Sequence, residues 1–185
     1  MQYTNSDIES SYRDNDLGRT LYDLILKYRP KKIVELGVLF GYSTVAMAMA
    51  LDELGEGHIY AYDLFDKYPF KHSTMKETQV NIDCYNAGKF VTLIQKDFEE
   101  WLKIPEDFDL LHIDMSNKGD TIERLYAAVK DQIDRGAIVA FEGGSQERDG
   151  VGWMLKYGCK KIRDAKVPFE VIDERFPSLS IIKRT

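Results

Sequence analysis

Hydrophobic positions along this chain follow two periods. Leu17, Leu21, Leu24, Ile25 and Tyr28 recur every three or four residues, the stripe of an amphipathic helix that ends before Pro30. Lys31 to Val38 reads as a strand, and Val45 to Leu54 as a helix that Gly55 and Gly57 terminate. Further strands are predicted over Gly57 to Leu64, Phe90 to Gln95, Phe108 to Ile113 and Ala137 to Phe141. Between them the pattern predicts helices over Thr74 to Ala87, Phe98 to Leu102 and Asp120 to Ile133. The last carries Ile122, Leu125, Tyr126, Val129 and Ile133 on one face. A helix over Asp149 to Tyr157 ends at Gly158. Two strands, Phe169 to Asp173 and Leu179 to Lys183, then flank a tight turn at Pro177-Ser178 and predict an antiparallel hairpin.

Strands that alternate with helices form right-handed crossover units and a parallel sheet covered on both faces. The near-continuous apolar runs ending at Ile113 and Phe141 agree with double-sided burial. No repeat or linker interrupts the pattern. Residues 1–185 are therefore expected to form one domain, with a polar arm at residues 1–16 that is free to pack on a second copy in a homodimer. The net charge of -6 argues against a nucleic-acid partner. No window approaches the ~20 apolar residues of a membrane span. Met1 to Asp16 lacks the apolar stretch of a signal peptide, so a cytoplasmic location is expected. Cys84 and Cys159 are too few and too far apart for a disulfide framework or zinc site, and are expected to be small buried residues.

In an open α/β sheet, ligands bind beyond the carboxyl ends of the strands. Those ends are acidic here: Glu35 before the first turn, then Asp63, Asp97, Asp114 and Glu142 after the next four strands. Clustered like charges cost energy unless something compensates them. The pattern points to a ligand that is cationic or rich in hydroxyl and ammonium donors. Gly37 and Gly41 let the backbone of the intervening turn approach such a ligand at a helix N-terminus. Asp63 follows at the interval at which a nucleotide-binding unit places its ribose acid, and a carboxylate can accept both ribose hydroxyl protons. Asp97 has two readings, ligand contact or N-cap of the helix at Phe98. The spacing Gly37-x-x-x-Gly41 departs from the Gly-x-Gly-x-x-Gly of dinucleotide sites.

With Val34-Glu35-Leu36-Gly37 and Gly41-Tyr42-Ser43-Thr44, this set resembles the class I S-adenosylmethionine-dependent methyltransferases, specifically the small bacterial O-methyltransferase-like group, from Ile33 to Lys183. The resemblance implies a single-domain, Rossmann-like, doubly wound sheet of seven strands in the order 3-2-1-4-5-7-6, mostly parallel with an antiparallel C-terminal hairpin. It implies S-adenosylmethionine as cofactor. Glu35, Gly37, Gly41, Tyr42 and Ser43 would surround its methionine part, Asp63 and Leu64 its ribose, Asp97 and Phe98 its adenine, and Asp114 the ammonium or the acceptor. The acceptor would be a small molecule or sugar, methylated at oxygen. Relatives often carry a His shortly after the fourth strand; Asn117 stands there instead. The candidates for catalysis are Asp114, Glu142 and His72, the last in a segment expected over the acceptor. Tyr42, Tyr68, Phe70 and Trp153 are candidate acceptor-pocket aromatics, and Gly143 to Gly152 a candidate lid. Asp114 and Glu142 offer oxygen ligands to a divalent ion, a possibility kept open but not favoured. Two other readings remain: a nicotinamide-dependent oxidoreductase, and a catalytically inactive cofactor-binding homologue.

Overall fold

The computed structural model describes residues 2–70, 72–116 and 118–184. Among them the seven strands β1 (Lys32–Leu36), β2 (His58–Asp63), β3 (Val91–Gln95), β4 (Leu110–Ile113), β5 (Ile138–Glu142), β6 (Glu170–Asp173) and β7 (Leu179–Ile182) form one sheet. Its order is β3-β2-β1-β4-β5-β7-β6. β1 to β5 are parallel, whereas β7 runs antiparallel to both β5 and β6. The order and the reversed hairpin match the sequence expectation.

Alternation along the strands divides the core. Ile33, Ile59, Leu110, Ile138 and Ile181 pack on one face with α1 (Leu17–Tyr28), α2 (Tyr42–Leu54) and Ile82 of α3 (Met75–Cys84). Val34, Leu111, Val139 and Ile182 point to the other face. There they meet Trp101 of α4 (Phe98–Lys103) and Ile122, Leu125, Val129 and Ile133 of α5 (Gly119–Asp134). Neighbouring residues thus serve opposite layers, as the period of two requires. Each buried Leu, Ile or Val contributes about 1.5–3 kcal/mol. α2 is buried from Tyr42 to Leu51, because α1 and the N-terminal arm cover the side turned from the sheet.

The arm packs on its own chain: Tyr12 is fully buried beside Tyr42 and His112, and the Tyr42 hydroxyl donates to Asn5 Oδ1 at 2.6 Å. Three expectations change. The helix expected over Asp149 to Tyr157 is two short ones, α6 (Gln146–Asp149) and α7 (Gly152–Lys156). Gly150, Val151 and Gly152 are poor helix formers, and the Asp149 carboxylate is held by the backbone N–H groups of Ile162 (3.1 Å) and Arg163 (3.0 Å). The Gly143 to Gly152 segment is pinned to the domain. Gly143 N–H donates to the Ser178 carbonyl at 2.8 Å, and Ser145 Oγ caps α6 by accepting from Arg148 N–H at 3.2 Å. Cys84 is exposed and Cys159 half-buried, because neither lies on a core-facing position.

Candidate active site

The turn after β1 is held by a side chain from the next strand. Asp63 Oδ2 accepts from the backbone N–H groups of Val38 (2.7 Å) and Leu39 (3.0 Å). Its Oδ1 accepts from Phe65 N–H at 3.1 Å and lies 3.0 Å from His72 Nε2. Burial raises the Asp63 pKa, but the three backbone bonds and the neighbouring His72 outweigh it and hold the carboxyl below its ordinary range. Thr78 Oγ1 donates to the Leu39 carbonyl at 2.7 Å, and Asn81 Nδ2 to the Phe40 carbonyl at 3.0 Å. Gly37, at φ 89°, lies so close to β4 that an added Cβ would sit 2.8 Å from the Met115 nitrogen.

This turn forms one wall of a cleft of about 550 Å³ at the carboxyl edge of the sheet, within the range of small-molecule and cofactor sites. The cleft is lined by Leu36 to Leu39, Asp63, Leu64, Tyr68, His72, Asp97 to Glu99, Asp114 to Ser116 and Lys118. Asp97 caps α4, accepting from Glu99 N–H at 2.7 Å, and it also lines the cleft. A second cleft of about 730 Å³, lined by Lys31, Asp107 and Arg135 among others, opens at the opposite edge, away from every strand-end acid of the β1–β5 set. Ligands of open α/β sheets bind at the carboxyl edge.

Several expected contacts lie elsewhere. Glu35 is fully buried in β1, where Ser43 Oγ and Thr44 Oγ1 each donate to it at 2.5 Å and His112 Nδ1 lies 3.1 Å away. Its carboxylate ties β1 to the first turn of α2 and to β4, and does not line the cleft. Ser43 spends its hydroxyl on that bond, and Tyr42 turns into the layer formed by α1 and the arm. Gly41 packs against Thr78 and Ile82 of α3. His72, expected over the acceptor, is instead bound to Asp63. Of the four aromatic candidates only Tyr68 lines the cleft; Phe70 is largely exposed, and Trp153 lies against Arg148. Asn117 and Lys71 lie outside the described residues.

Asp114 and Glu142, on adjacent strand ends, come within hydrogen-bonding reach of one another. Burial, then the charge of Glu142, pushes the Asp114 carboxyl well above its ordinary range. Arg148 donates from Nε to Glu142 Oε1, and both side chains are buried. The Tyr12 hydroxyl is buried beside Asp114. The sequence reading missed Tyr12 and Arg148, which reach this corner from the arm and from α6. It also missed Met115, Ser116 and Lys118 of the cleft, although their place just after Asp114 is a signal that could have found them. Among the described residues no group of three or more His, Cys, Asp or Glu could hold a metal ion, and the cation already beside Glu142 is a guanidinium. A divalent-ion site does not fit this corner.

A doubly wound sheet with its last strand reversed, and a cleft lined by the first turn and the acids after β2, β3 and β4, defines the methyltransferase class of α/β folds. Solved structures share the fold. An S-adenosylhomocysteine-bound methyltransferase from Podospora anserina has a TM-score of 0.67 and 18% identity, over 100% of this chain and 83% of that one. An O-methyltransferase from Bacillus cereus in complex with S-adenosylhomocysteine gives 0.63 and 16%, over 97% and 84%. The O-methyltransferase of tomaymycin synthesis from Streptomyces achromogenes, in complex with S-adenosylmethionine, gives 0.60 and 13%, over 95% and 90%. No curated protein gives a significant sequence match. The chain belongs to the methyltransferase-domain family, whose model matches residues 34–142.

Proposed function

We propose that this protein transfers a methyl group from S-adenosylmethionine to an oxygen of a small-molecule or sugar acceptor. The observation that carries the reading is the cleft itself: Asp63, Asp97 and Phe98 at one end, Gly37 and Asp114 at the other, all on the carboxyl edge. Asp63 and Leu64 would hold the ribose, Phe98 and Asp97 the adenine, and the Gly37 turn with Asp114 the methionine portion. When bound, the cofactor supplies a methyl group on a sulfonium, which departs to a nucleophile and leaves its bonding electrons on sulfur. The chain's own work is to hold the acceptor oxygen in line, a positioning effect, and to take up the hydroxyl proton. Glu142, paired with Asp114, is the candidate to take that proton. The O-methyltransferase neighbours support oxygen as the acceptor atom. The net charge of -6 supports a small acceptor over a nucleic acid.

The nicotinamide reading is less well supported. The turn lacks the dinucleotide glycine spacing, and Leu39 stands at φ 51° where that fingerprint has glycine. Among the described residues no helix is long and apolar enough to cross a membrane.

S-adenosylhomocysteine at 100 times its Kd should stabilise the fold by about 2.7 kcal/mol, because it binds only the folded state. Thermal melts with S-adenosylhomocysteine and NAD in parallel measure this. Asp63→Ala should lose the S-adenosylhomocysteine shift. A shift with NAD alone would overturn the reading, and labelled-methyl transfer to hydroxyl compounds separates an active enzyme from an inactive homologue.

A further inference from the structure

We propose that Arg148 is the resident cation of the acceptor corner. It takes the place beside the strand-end acids that a divalent ion would need, and it presents a guanidinium to the acceptor oxygen. The inference rests on the methyltransferase reading and adds how charge is managed at that site.

Two carboxyl groups on adjacent strand ends, Asp114 just after β4 and the buried Glu142 at the end of β5, meet at one corner of the carboxyl edge. Such a pair needs a proton, a cation or both. The chain supplies the cation. Arg148 is 7% exposed and Glu142 8%, and they form a direct ion pair. The guanidinium is packed as well as paired. Its carbon lies 5.7 Å from the Trp153 ring centroid and 5.9 Å from that of Phe176. Nη1 lies 3.9 Å from Met154 Sδ. The backbone beneath it is fixed as well, by the Ser145 cap and by the bonds of Asp149 to Ile162 and Arg163.

A divalent ion would have to displace this guanidinium from two aromatic faces. Only with the guanidinium gone would Asp114 and Glu142 be free to hold such an ion, with waters completing its roughly six ligands. A guanidinium suits the corner better because its planar fork can bond a carboxylate with one edge and keep further donors for a substrate oxygen. Donors fixed in advance near an oxygen favour orientation and charge development there. Trp153 and Phe176 are both partly exposed at this corner, 41% and 46%. They give the acceptor a flat apolar flank beside the charged group, which suits a hydroxyl on a ring.

The test is manganese binding, read by electron paramagnetic resonance on the intact protein, with thermal melts in magnesium and manganese and S-adenosylhomocysteine binding in the same samples. The wild type should bind no manganese up to about 10⁻³ M, the weak limit of protein sites for such ions, and its melt should not respond to either ion. Arg148→Ala should gain one manganese per chain and a manganese-dependent rise in Tm, and Arg148→Ala with Glu142→Gln should lose both. One manganese bound by the wild type and abolished by Glu142→Gln would overturn the proposal. So would a folded Arg148→Ala that binds none. If Arg148→Ala fails to fold, the wild-type and Glu142→Gln titrations still decide. Loss of S-adenosylhomocysteine binding in the wild type would instead count against the cofactor reading, whatever manganese does.

Discussion

Two residues carry most of the chemistry that single-residue changes can probe. Asp63 offers about four lone-pair positions, and Val38, Leu39, Phe65 and His72 occupy them. Three of these partners are backbone groups fixed by the fold, so a ribose hydroxyl can gain the carboxylate most easily at the expense of His72. His72→Ala should therefore tighten S-adenosylhomocysteine binding by up to about tenfold, the equivalent of one charged hydrogen bond no longer competing. Calorimetric titration checks this, and a tenfold weakening would make His72 a cofactor contact instead. Asp114 makes a prediction about pH. Its carboxyl is raised by burial and by Glu142, so the folded state holds the proton more tightly than the unfolded chain. The stability this contributes is fully present below about pH 4 and is lost as pH rises through the raised folded value. Asp114→Asn cannot ionise. Its melting temperature should track the wild type's at low pH and exceed it at neutral pH, with methyl transfer reduced; melts across pH measure the first part.

At the scale of elements, the first turn works because of what packs behind it. Gly37 combines a left-handed φ with close approach to the Asp114-Met115 backbone just after β4. Gly37→Ala should destabilise the protein by about 1–3 kcal/mol from backbone strain alone, with more from displacement of Met115. Urea unfolding measures the loss, and S-adenosylhomocysteine affinity should fall with it because Met115 lines the cleft. Leu39, at φ 51°, shows that the turn stores strain at a non-glycine position as well, stabilised by Asp63 and by the hydroxyl of Thr78 on its carbonyl. The break between α6 and α7 has a similar logic. Asp149, read from the sequence as the start of a helix, ends one instead, since its carboxylate is taken by the backbone of Ile162 and Arg163. That anchoring sets Arg148 against Glu142.

Across the whole molecule, the strands and their order were legible in the sequence because apolar periodicity, glycine breaks and acids at strand ends repeat in step. Ile33 and Val34, or Ile138 and Val139, carry the layer division in two adjacent letters. The cleft was legible in part: Asp63, Leu64, Asp97, Phe98 and Asp114 line it as their strand-end positions suggest. Glu35, Tyr42 and Ser43 look the same in the sequence, yet their side chains serve the interior. Motif position fixes where a residue sits on an element, but not which way competing hydrogen bonds turn it. What the sequence determined by itself was local: helix and strand periods, the tight turn, and the acids at the carboxyl edge, all set by residues a few places apart. The tertiary structure alone decided the rest. It brought Tyr12 from the arm to Asp114, set Arg148 on Glu142, and gave Glu35 to His112 and the first turn of α2. Those contacts join residues far apart in the chain, and their energies depend on burial and shared charge that exist only once the layers have closed.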